Sequence, residues 1–204
     1  MHTVAIHSKT FVAALAGIIC AAGVALAQPA AKGSEQAGKN PPPAAQQDPM
    51  ADLYARLADP DNEDWALAES DILREWSKSG SPAMDLLLKR GQEAMQAGNF
   101  AVAIEHLTAL TDHAPDFAEG WNARATAYFH AGRAGLSLAD IRRTLILNPQ
   151  HFGALAGLGM IFEELGQSDK ALRAYEASLA INPHQEGVQQ SVSRLKKLTE
   201  GIAL

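Results

Sequence analysis

The chain repeats itself with a period of 34 residues. Three prolines and three glycines keep this spacing: Pro115, Pro149, Pro183, Gly98, Gly132 and Gly166. A period of this length is typical of helical hairpins that stack on one another, because a single hairpin cannot bury its apolar face alone. The repeat therefore predicts an all-α fold whose extended surface suits binding rather than catalysis in a pocket.

Each unit contains two helix patterns separated by a glycine. In the third unit Leu155, Leu158 and Phe162 recur at three- and four-residue steps, which places them on one helix face. The glycine ends the first helix because it tolerates the left-handed backbone conformation, and the proline ends the second because it cannot extend a helix. Small residues occupy the places where the two helices of a hairpin must touch: Gly91, Ala125 and Gly159 in the first helix, and Ala103, Ser137 and Ala171 in the second.

This pattern resembles the tetratricopeptide repeat (TPR) family over about half of the chain. The residues that carry the resemblance are Gly91, Gly98, Ala103 and Pro115, then Trp121, Tyr128, Gly132 and Pro149, then Leu158, Gly159, Phe162, Gly166, Ala171, Tyr175 and Pro183. The resemblance implies a right-handed α-solenoid with units at 84–117, 118–151 and 152–184. It implies nothing about which ligand is bound.

Three positions depart from the family pattern. Arg90 and Arg124 stand where the family usually has leucine, and Ser137 replaces the usual alanine. A charge on a semi-buried helix face is rarely left unpaired. We therefore expect both arginines to find a carboxylate or carbonyl partner.

The first 27 residues resemble a secretory signal peptide. Lys9 is their one basic side chain, an apolar run covers 10–27, and Ala25–Ala27 forms an A-x-A cleavage site. A retained membrane anchor is the alternative, because the run approaches spanning length. The leader predicts a periplasmic or secreted protein cleaved after Ala27. Cleavage would remove Cys20, the single cysteine, and with it any thiol chemistry.

Two further segments precede the repeats. Residues 28–48 are rich in Pro, Ala and Gln, which predicts a disordered linker because so little apolar surface can be buried. Residues 49–82 predict a helical hairpin broken near Pro60, with Asp61 or Asn62 as N-cap of its second helix. We interpret this hairpin as a degenerate repeat, or as a cap over the apolar side of the first clear unit. Two tryptophans are expected to pack there rather than bind a ligand: Trp65 and Trp76.

The last segment, 185–204, predicts a capping helix. Val188, Val192 and Leu195 form a narrow apolar stripe, and polar or basic residues fill the other faces. A helix of this kind closes a solenoid with a polar outside.

The resemblance implies that the first helix of each hairpin lines a concave groove. The residues placed there are Leu88, Gln92, Met95, Glu119, Asn122, Thr126, Phe129, His130, Gly153, Gly157, Met160 and Glu163, with Asp85, Ala156 and Glu164 beside them. An apolar floor with an acidic edge suits an extended or helical peptide that carries a basic or amino-terminal segment. The alternative is that the capping helices or the linker cover these residues.

One TPR subclass holds a C-terminal carboxylate with a clamp of Lys, Arg and Asn. The matching places here are Leu88, Gln92, Ala123, Gly153 and Gly157, so heat-shock chaperone tails are not expected as ligands. Glycine within a helix costs about 1 kcal/mol relative to alanine. The repeat does not require Gly153 or Gly157, and close approach of a ligand or of a neighbouring helix would offset that cost. We therefore predict that the working surface lies where the second and third units meet, with Arg124, His151 and Phe152 nearby.

The residues give no pattern for catalysis or for metal binding. The histidines outside the leader show no i, i+4 pair: His106, His113, His130, His151 and His184. Ser193–Lys196 matches S-x-x-K without its companion motifs. The formal net charge of −6 disfavours nucleic acid and anionic membrane surfaces as partners.

These observations predict an exported, non-enzymatic scaffold without a cofactor, which binds a protein or peptide in envelope assembly. Two alternatives stay open. One is the handling of a small ligand or metal, with His130 and His151 as polar contacts. The other is self-association through an uncapped end of the stack.

Overall fold

The computed structural model describes the backbone of residues 48–202 and the side chains of residues 48–198. The predicted leader, and the predicted linker up to residue 47, lie outside these residues. Within residues 48–202 nine helices and no strand are present: α1 (Pro49–Ala58), α2 (Trp65–Trp76), α3 (Pro82–Gln96), α4 (Phe100–His113), α5 (Ala118–His130), α6 (Ala134–Leu147), α7 (Phe152–Glu164), α8 (Ser168–Ile181) and α9 (Glu186–Ile202).

Three hairpins, α3–α4, α5–α6 and α7–α8, form the solenoid that the repeat predicts. Each pairs its own two helices; the first two pack on the next hairpin in the chain, and the third packs on the single helix α9. The turns contain Gly98, Gly132 and Gly166, with φ of 71°, 69° and 68°. After Gly98, the Asn99 amide donates to the Ala94 carbonyl at 2.8 Å, which closes the helix end. The left-handed turn glycines and the all-α fold are thus confirmed.

Close packing within the hairpins explains the small residues of the repeat. A Cβ atom on Gly91 would lie 2.5 Å from Leu107 Cγ, and one on Gly159 would lie 2.5 Å from Tyr175 Cδ1. Ser137 fits in place of alanine because its hydroxyl donates to the Ala125 carbonyl at 2.8 Å. The buried Ser137 hydroxyl is therefore hydrogen-bonded, and serine at this position leaves no polar group unsatisfied.

Arg124 links three successive helices. Its Nε and Nη2 atoms donate to the two carboxylate oxygens of Asp140 on α6, at 2.7 and 2.9 Å. Its Nη1 donates to Thr111 Oγ1 on α4 at 2.7 Å, and its guanidinium lies over the Trp121 ring. Burial alone would lower the pKa of Arg124, but the hydrogen bonds and charge of Asp140 outweigh it and raise that pKa. The partner expected for Arg124 is confirmed.

The corresponding prediction for Arg90 is wrong. Arg90 is exposed, and within residues 48–198 it makes neither an ion pair nor a hydrogen bond through its side chain. In the second unit, Arg124 faces Thr111, which belongs to the unit before. The position that Asp140 occupies in the second unit is His106 in the first, and within residues 48–198 no repeat packs before the first unit, so Arg90 lacks both kinds of partner and meets solvent.

The hairpin α1–α2 packs on the third unit rather than on the first, which corrects the predicted position of the cap. Its buried residues Leu57, Ala68 and Ile72 form one apolar cluster with Phe152, the first residue of α7. Ile181 at the end of α8 packs against the same cluster. The hairpin therefore covers the edge of the solenoid formed by the turns before α7 and after α8.

Aromatic and polar contacts hold the hairpin at that edge. The Trp76 ring stacks on His151, with ring centroids 4.2 Å apart, and the Trp65 ring stacks on His184 at 4.6 Å. Asn182 is fully buried, and its Nδ2 donates to Glu69 Oε1 at 2.8 Å. Both tryptophans are thus packing residues. Their partners, His151 and His184, lie in turns at the ends of the second and third units, where each imidazole ring offers a flat face for the indole ring to stack on.

Neither Asp61 nor Asn62 is the N-cap of α2, since the helix begins at Trp65 and its N-cap is Asp64. Asn62 instead stabilises the preceding turn. Its Nδ2 donates to the Arg56 carbonyl at 2.7 Å, and its Oδ1 accepts from the Asp64 amide at 3.1 Å.

The last helix, α9, packs on α8 through Val192 and Leu195, which share an apolar cluster with Ala171 and Tyr175. Val188 packs against the same cluster, as its stripe predicts. None of the helices within residues 48–202 is long and apolar enough to cross a membrane.

Candidate functional site: the groove of α5, α7 and α9

Two adjoining cavities lie along α7. The inner pocket, between α5 and α7, has a volume of about 190 Å³. Its lining residues are Asn122, Ala125, Thr126, Phe129, His130, Ser137, Ile141, Gly153, Ala156, Gly157, Met160 and Ile161. The outer cavity, between α7 and α9, has a volume of about 650 Å³. Phe129, Ala156 and Met160 line both cavities, so together they form one groove.

The inner pocket brings together most of the groove residues that the sequence suggests. The seven that line it are Asn122, Thr126, Phe129, His130, Gly153, Gly157 and Met160. Glu163 and Glu164 line the outer cavity instead. The junction of the second and third units thus forms a cavity.

The first unit contributes to neither cavity. Leu88 is only 3% exposed and belongs to the core cluster that contains Ala123, so its prediction as a groove residue is wrong. Met95 packs against the same cluster, and Gln92 is half-buried outside both cavities. The physical reason is that this face of α3 packs against α5.

The two glycines that the repeat does not require border open space. A Cβ atom on Gly157 would meet only Ile141 Cδ1, at 3.4 Å, and one on Gly153 would meet the His151 ring at 3.5 Å. Both distances are ordinary van der Waals contacts. No neighbouring helix therefore demands glycine at either position, and its absent side chain enlarges the inner pocket.

Charge is distributed unevenly in the groove. Glu163 forms an ion pair with Arg194 at 2.5 Å and accepts a hydrogen bond from the Tyr175 hydroxyl at 3.2 Å. The bond from Arg194 lowers the pKa of Glu163, with partial burial opposing and Tyr175 adding to that effect. Burial, together with the nearby Glu163 charge, raises the pKa of Tyr175 to about 12. Glu164 is exposed at the rim.

His151 and Glu119 are engaged with each other rather than with the groove. His151 Nδ1 accepts from the Ala154 amide at 3.1 Å, so its Nε2 carries the proton that bonds to Glu119 Oε2 at 3.0 Å. His151 is 2% exposed, because Trp76 covers it. It cannot serve as the ligand contact that the small-ligand alternative requires.

Two other residues expected around the site also point elsewhere. Arg124 is bound to Asp140, and Phe152 is buried beneath the α1–α2 hairpin. No group of three His, Cys, Asp or Glu side chains within the described residues could hold a metal ion.

Sequence reasoning missed the contribution of α8 and α9 to the groove. The residues concerned are Tyr175, Gln185, Gly187, Val188 and Ser191, which line the outer cavity. Val188 belongs to the apolar stripe of the capping helix. The apolar stripe of α9 predicts that this helix contacts α8. It does not predict that Val188, at one edge of the stripe, also lines a groove.

Comparison with known proteins identifies the family. Two models, each described as tetratricopeptide repeat, match residues 88–145 and 152–185. A TPR repeat-containing protein of Rhizobium etli is 32% identical over 167 residues, which cover 82% of this chain and 81% of that protein. The chain is a tetratricopeptide repeat protein. The wheat Hsp70-Hsp90 organizing protein is 31% identical over 108 residues, 53% of this TPR protein but only 19% of the relative.

Solved structures show the same fold. The crystal structure of MamA is 25% identical with a TM-score of 0.55, over 70% of this TPR protein and 85% of that chain. The first TPR of Spaghetti (RPAP3), bound to an HSP90 peptide, is 21% identical with a TM-score of 0.57. That match covers 59% of this protein and 98% of that chain, and it concerns the fold alone.

Proposed function

We propose that this TPR protein is a non-enzymatic scaffold that binds a peptide segment of a protein partner in the groove of α5, α7 and α9. The observation that carries the proposal is the pair of adjoining cavities with a shared apolar wall of Phe129, Ala156 and Met160. Grooves of this kind accept extended or helical segments whose side chains enter successive pockets. The binding of an HSP90 peptide by the RPAP3 domain supports the peptide class of ligand for this fold.

The ligand we propose differs from a chaperone tail. The clamp positions hold two buried apolar residues, Leu88 and Ala123, two glycines, Gly153 and Gly157, and one amide, Gln92. None of the five is cationic, and Gln92, whose side chain could donate a hydrogen bond to a terminal carboxylate, lies outside both cavities. An internal segment of a partner therefore fits the groove better than a C-terminal carboxylate does.

We also propose that the protein is exported and acts in envelope assembly, in the periplasm or outside the cell. The leader pattern of residues 1–27 supports this part of the proposal. Amino-terminal sequencing of the protein purified from its native cells tests it. The sequence is expected to begin at Gln28, whereas an intact Met1 terminus in the membrane fraction would favour the retained anchor.

Selection of peptides from a random displayed library, with the full chain as bait, tests the groove. Selected peptides should bind Phe129→Ala at least about fivefold more weakly, because truncating a central contact costs 1 kcal/mol or more. Ile146→Ala is the matched control, since Ile146 is an apolar residue that is 62% exposed and lies outside both cavities. Circular dichroism verifies that both variants keep their helical content. Equal affinity for Phe129→Ala and the parent would refute binding in the groove.

Self-association is a second candidate, favoured by a separate apolar surface on α6. Leu136 and Ile146 are 48% and 62% exposed, and a cavity of about 590 Å³ lies beside Leu138 and Leu158. Exposed apolar residues of this kind mark surfaces for protein contact. Light scattering of the full chain distinguishes a monomer from an assembly.

A further inference from the structure

The lining of the inner pocket suits one kind of side chain. Its volume is about 190 Å³. A protein cavity of about 150 Å³ with an aliphatic and aromatic lining holds one benzene molecule. The inner pocket therefore has room for one aromatic ring or one branched aliphatic side chain, and not for two. Phe129, Ile141, Met160 and Ile161 supply most of its apolar surface.

Three of the four polar side chains that line the inner pocket are hydrogen-bonded within the protein, and the fourth, His130, is exposed and stacks on Phe100 with ring centroids 5.2 Å apart. The Ser137 hydroxyl donates to the Ala125 carbonyl at 2.8 Å, and the Thr126 hydroxyl donates to the Asn122 carbonyl at 3.1 Å. The Asn122 amide group donates to Glu119 at 3.3 Å. A polar or charged ligand group placed against Ser137, Thr126 or Asn122 would have to compete with these bonds, which is unfavourable. The occupant that matches this pocket is apolar.

The charge beside the pocket has one sign. Among the residues that line the two cavities, the carboxylates are Glu163 and Glu164, and neither lysine nor arginine is present. Glu163 is neutralised by Arg194, whereas Glu164 is exposed at the rim. A cationic side chain next to the apolar one would meet this carboxylate. An exposed pair of this kind contributes chiefly to orientation and to the rate of association.

We infer that the inner pocket anchors one large apolar side chain of the partner peptide, that Gly157 sets the size of this anchor, and that a neighbouring lysine or arginine of the peptide pairs with Glu164. This inference rests on the proposed function and specifies its ligand. Gly157 is the size-determining position because its missing side chain leaves the pocket open, with Ile141 the one contact that a Cβ atom would make. A bulky residue there would occupy the anchor's place.

The experiment uses the full chain and a peptide selected from the random library. The peptide is resynthesised with its large apolar residue replaced by alanine, and both peptides are titrated against the parent protein and Gly157→Leu. We expect Gly157→Leu to bind the large-anchor peptide about tenfold or more weakly, as loss of a central anchor does. It should bind the alanine peptide as the parent does.

Two matched variants separate this effect from a folding defect. Gly135→Leu places the same side chain in α6, where a Cβ atom would meet nothing within 4 Å, and should bind both peptides as the parent does. Gly157→Ala, which strengthens the helix, should weaken large-anchor binding in the same direction by a smaller factor. Glu164→Gln should weaken binding of a peptide that carries lysine or arginine and should reduce the salt dependence of that binding.

The outcomes distinguish this inference from the proposed function. If Phe129→Ala weakens binding while Gly157→Leu does not, peptide binding in the groove stands and the anchor pocket is refuted. Selected peptides that lack a large apolar residue refute the anchor as well. If no peptide is selected at all, both the inference and the proposed function are wrong. Unchanged affinity and salt dependence in Glu164→Gln would refute the pairing with a cationic residue.

Discussion

Alanine substitutions at Gly157 and Gly159 should change stability to clearly different extents, although the two positions lie in the same helix. Replacing a helical glycine by alanine stabilises the helix by about 1 kcal/mol, and both variants receive this gain. Gly157→Ala adds a Cβ atom in ordinary contact with Ile141, so its free energy of unfolding should rise by about 0.5–1 kcal/mol.

The same methyl group at position 159 would clash with the Tyr175 ring. It would lie 2.5 Å from Tyr175 Cδ1, and the Tyr175 ring is 3% exposed and tethered to Glu163 through its hydroxyl. Overpacking of this kind costs about 1–3 kcal/mol. Because the helix gain is common to both variants, the difference between them should equal the overpacking cost alone, about 1–3 kcal/mol in favour of Gly157→Ala.

Urea denaturation followed by circular dichroism measures this difference. The two variants should have similar m-values, so the separation of their midpoints reports stability. The assignment of Gly159 to packing and of Gly157 to the groove would be refuted if the two midpoints coincided. It would also be refuted if Gly159→Ala were more stable than Gly157→Ala. Gly157→Ala should also lose affinity for the selected peptide, which would show that the site sacrifices stability for function.

Three further predictions concern the contacts that hold the solenoid together. Arg124→Leu leaves the buried Asp140 carboxylate unpaired and should lower the free energy of unfolding, measured by urea denaturation, by about 3–5 kcal/mol. The double variant Arg124→Leu with Asp140→Leu should recover much of that loss. Trp76→Ala uncovers His151, so hydrogen exchange should accelerate at the first amides of α7 and stay unchanged in α4, whereas uniform acceleration would contradict local docking. The raised pKa of Tyr175 means that the native state keeps a proton that the unfolded state releases between pH 10 and about 12, so stability should fall across that range. Tyr175→Phe should remove this part of the pH dependence, and an unchanged profile would contradict the prediction.

The 34-residue period predicts the hairpins, the left-handed glycines and the small residues at helix contacts, because those features depend on neighbours within one unit. On its own it does not distinguish Arg90 from Arg124, which occupy equivalent positions. Their environments differ because the position of Asp140, which pairs with Arg124, is His106 in the first unit, and because Thr111, the other partner of Arg124, belongs to the repeat before. The same limit explains Leu88, which family geometry places in the groove and which the contact between α3 and α5 buries.

The docking of the α1–α2 hairpin is a different case. It depends on contacts such as that between Glu69 and Asn182, which lie 113 residues apart in the chain. Periodicity within a helix carries no information about partners at that distance. The sequence predicts the part of the candidate site formed by α5 and α7, because these helices belong to neighbouring repeats. It does not predict the part formed by α9, because that part depends on how the helix after the last repeat packs.

The most direct test of the account is a methyl nuclear magnetic resonance titration of the full chain with a selected peptide. We predict that the methyl resonances of Ala156 and Met160, in the wall shared by both cavities, shift as the peptide is added. The methyl resonances of Ile146, on the exposed surface of α6, should stay in place. A shift at Ile146 with Ala156 and Met160 unchanged would place the peptide outside the groove and contradict the account.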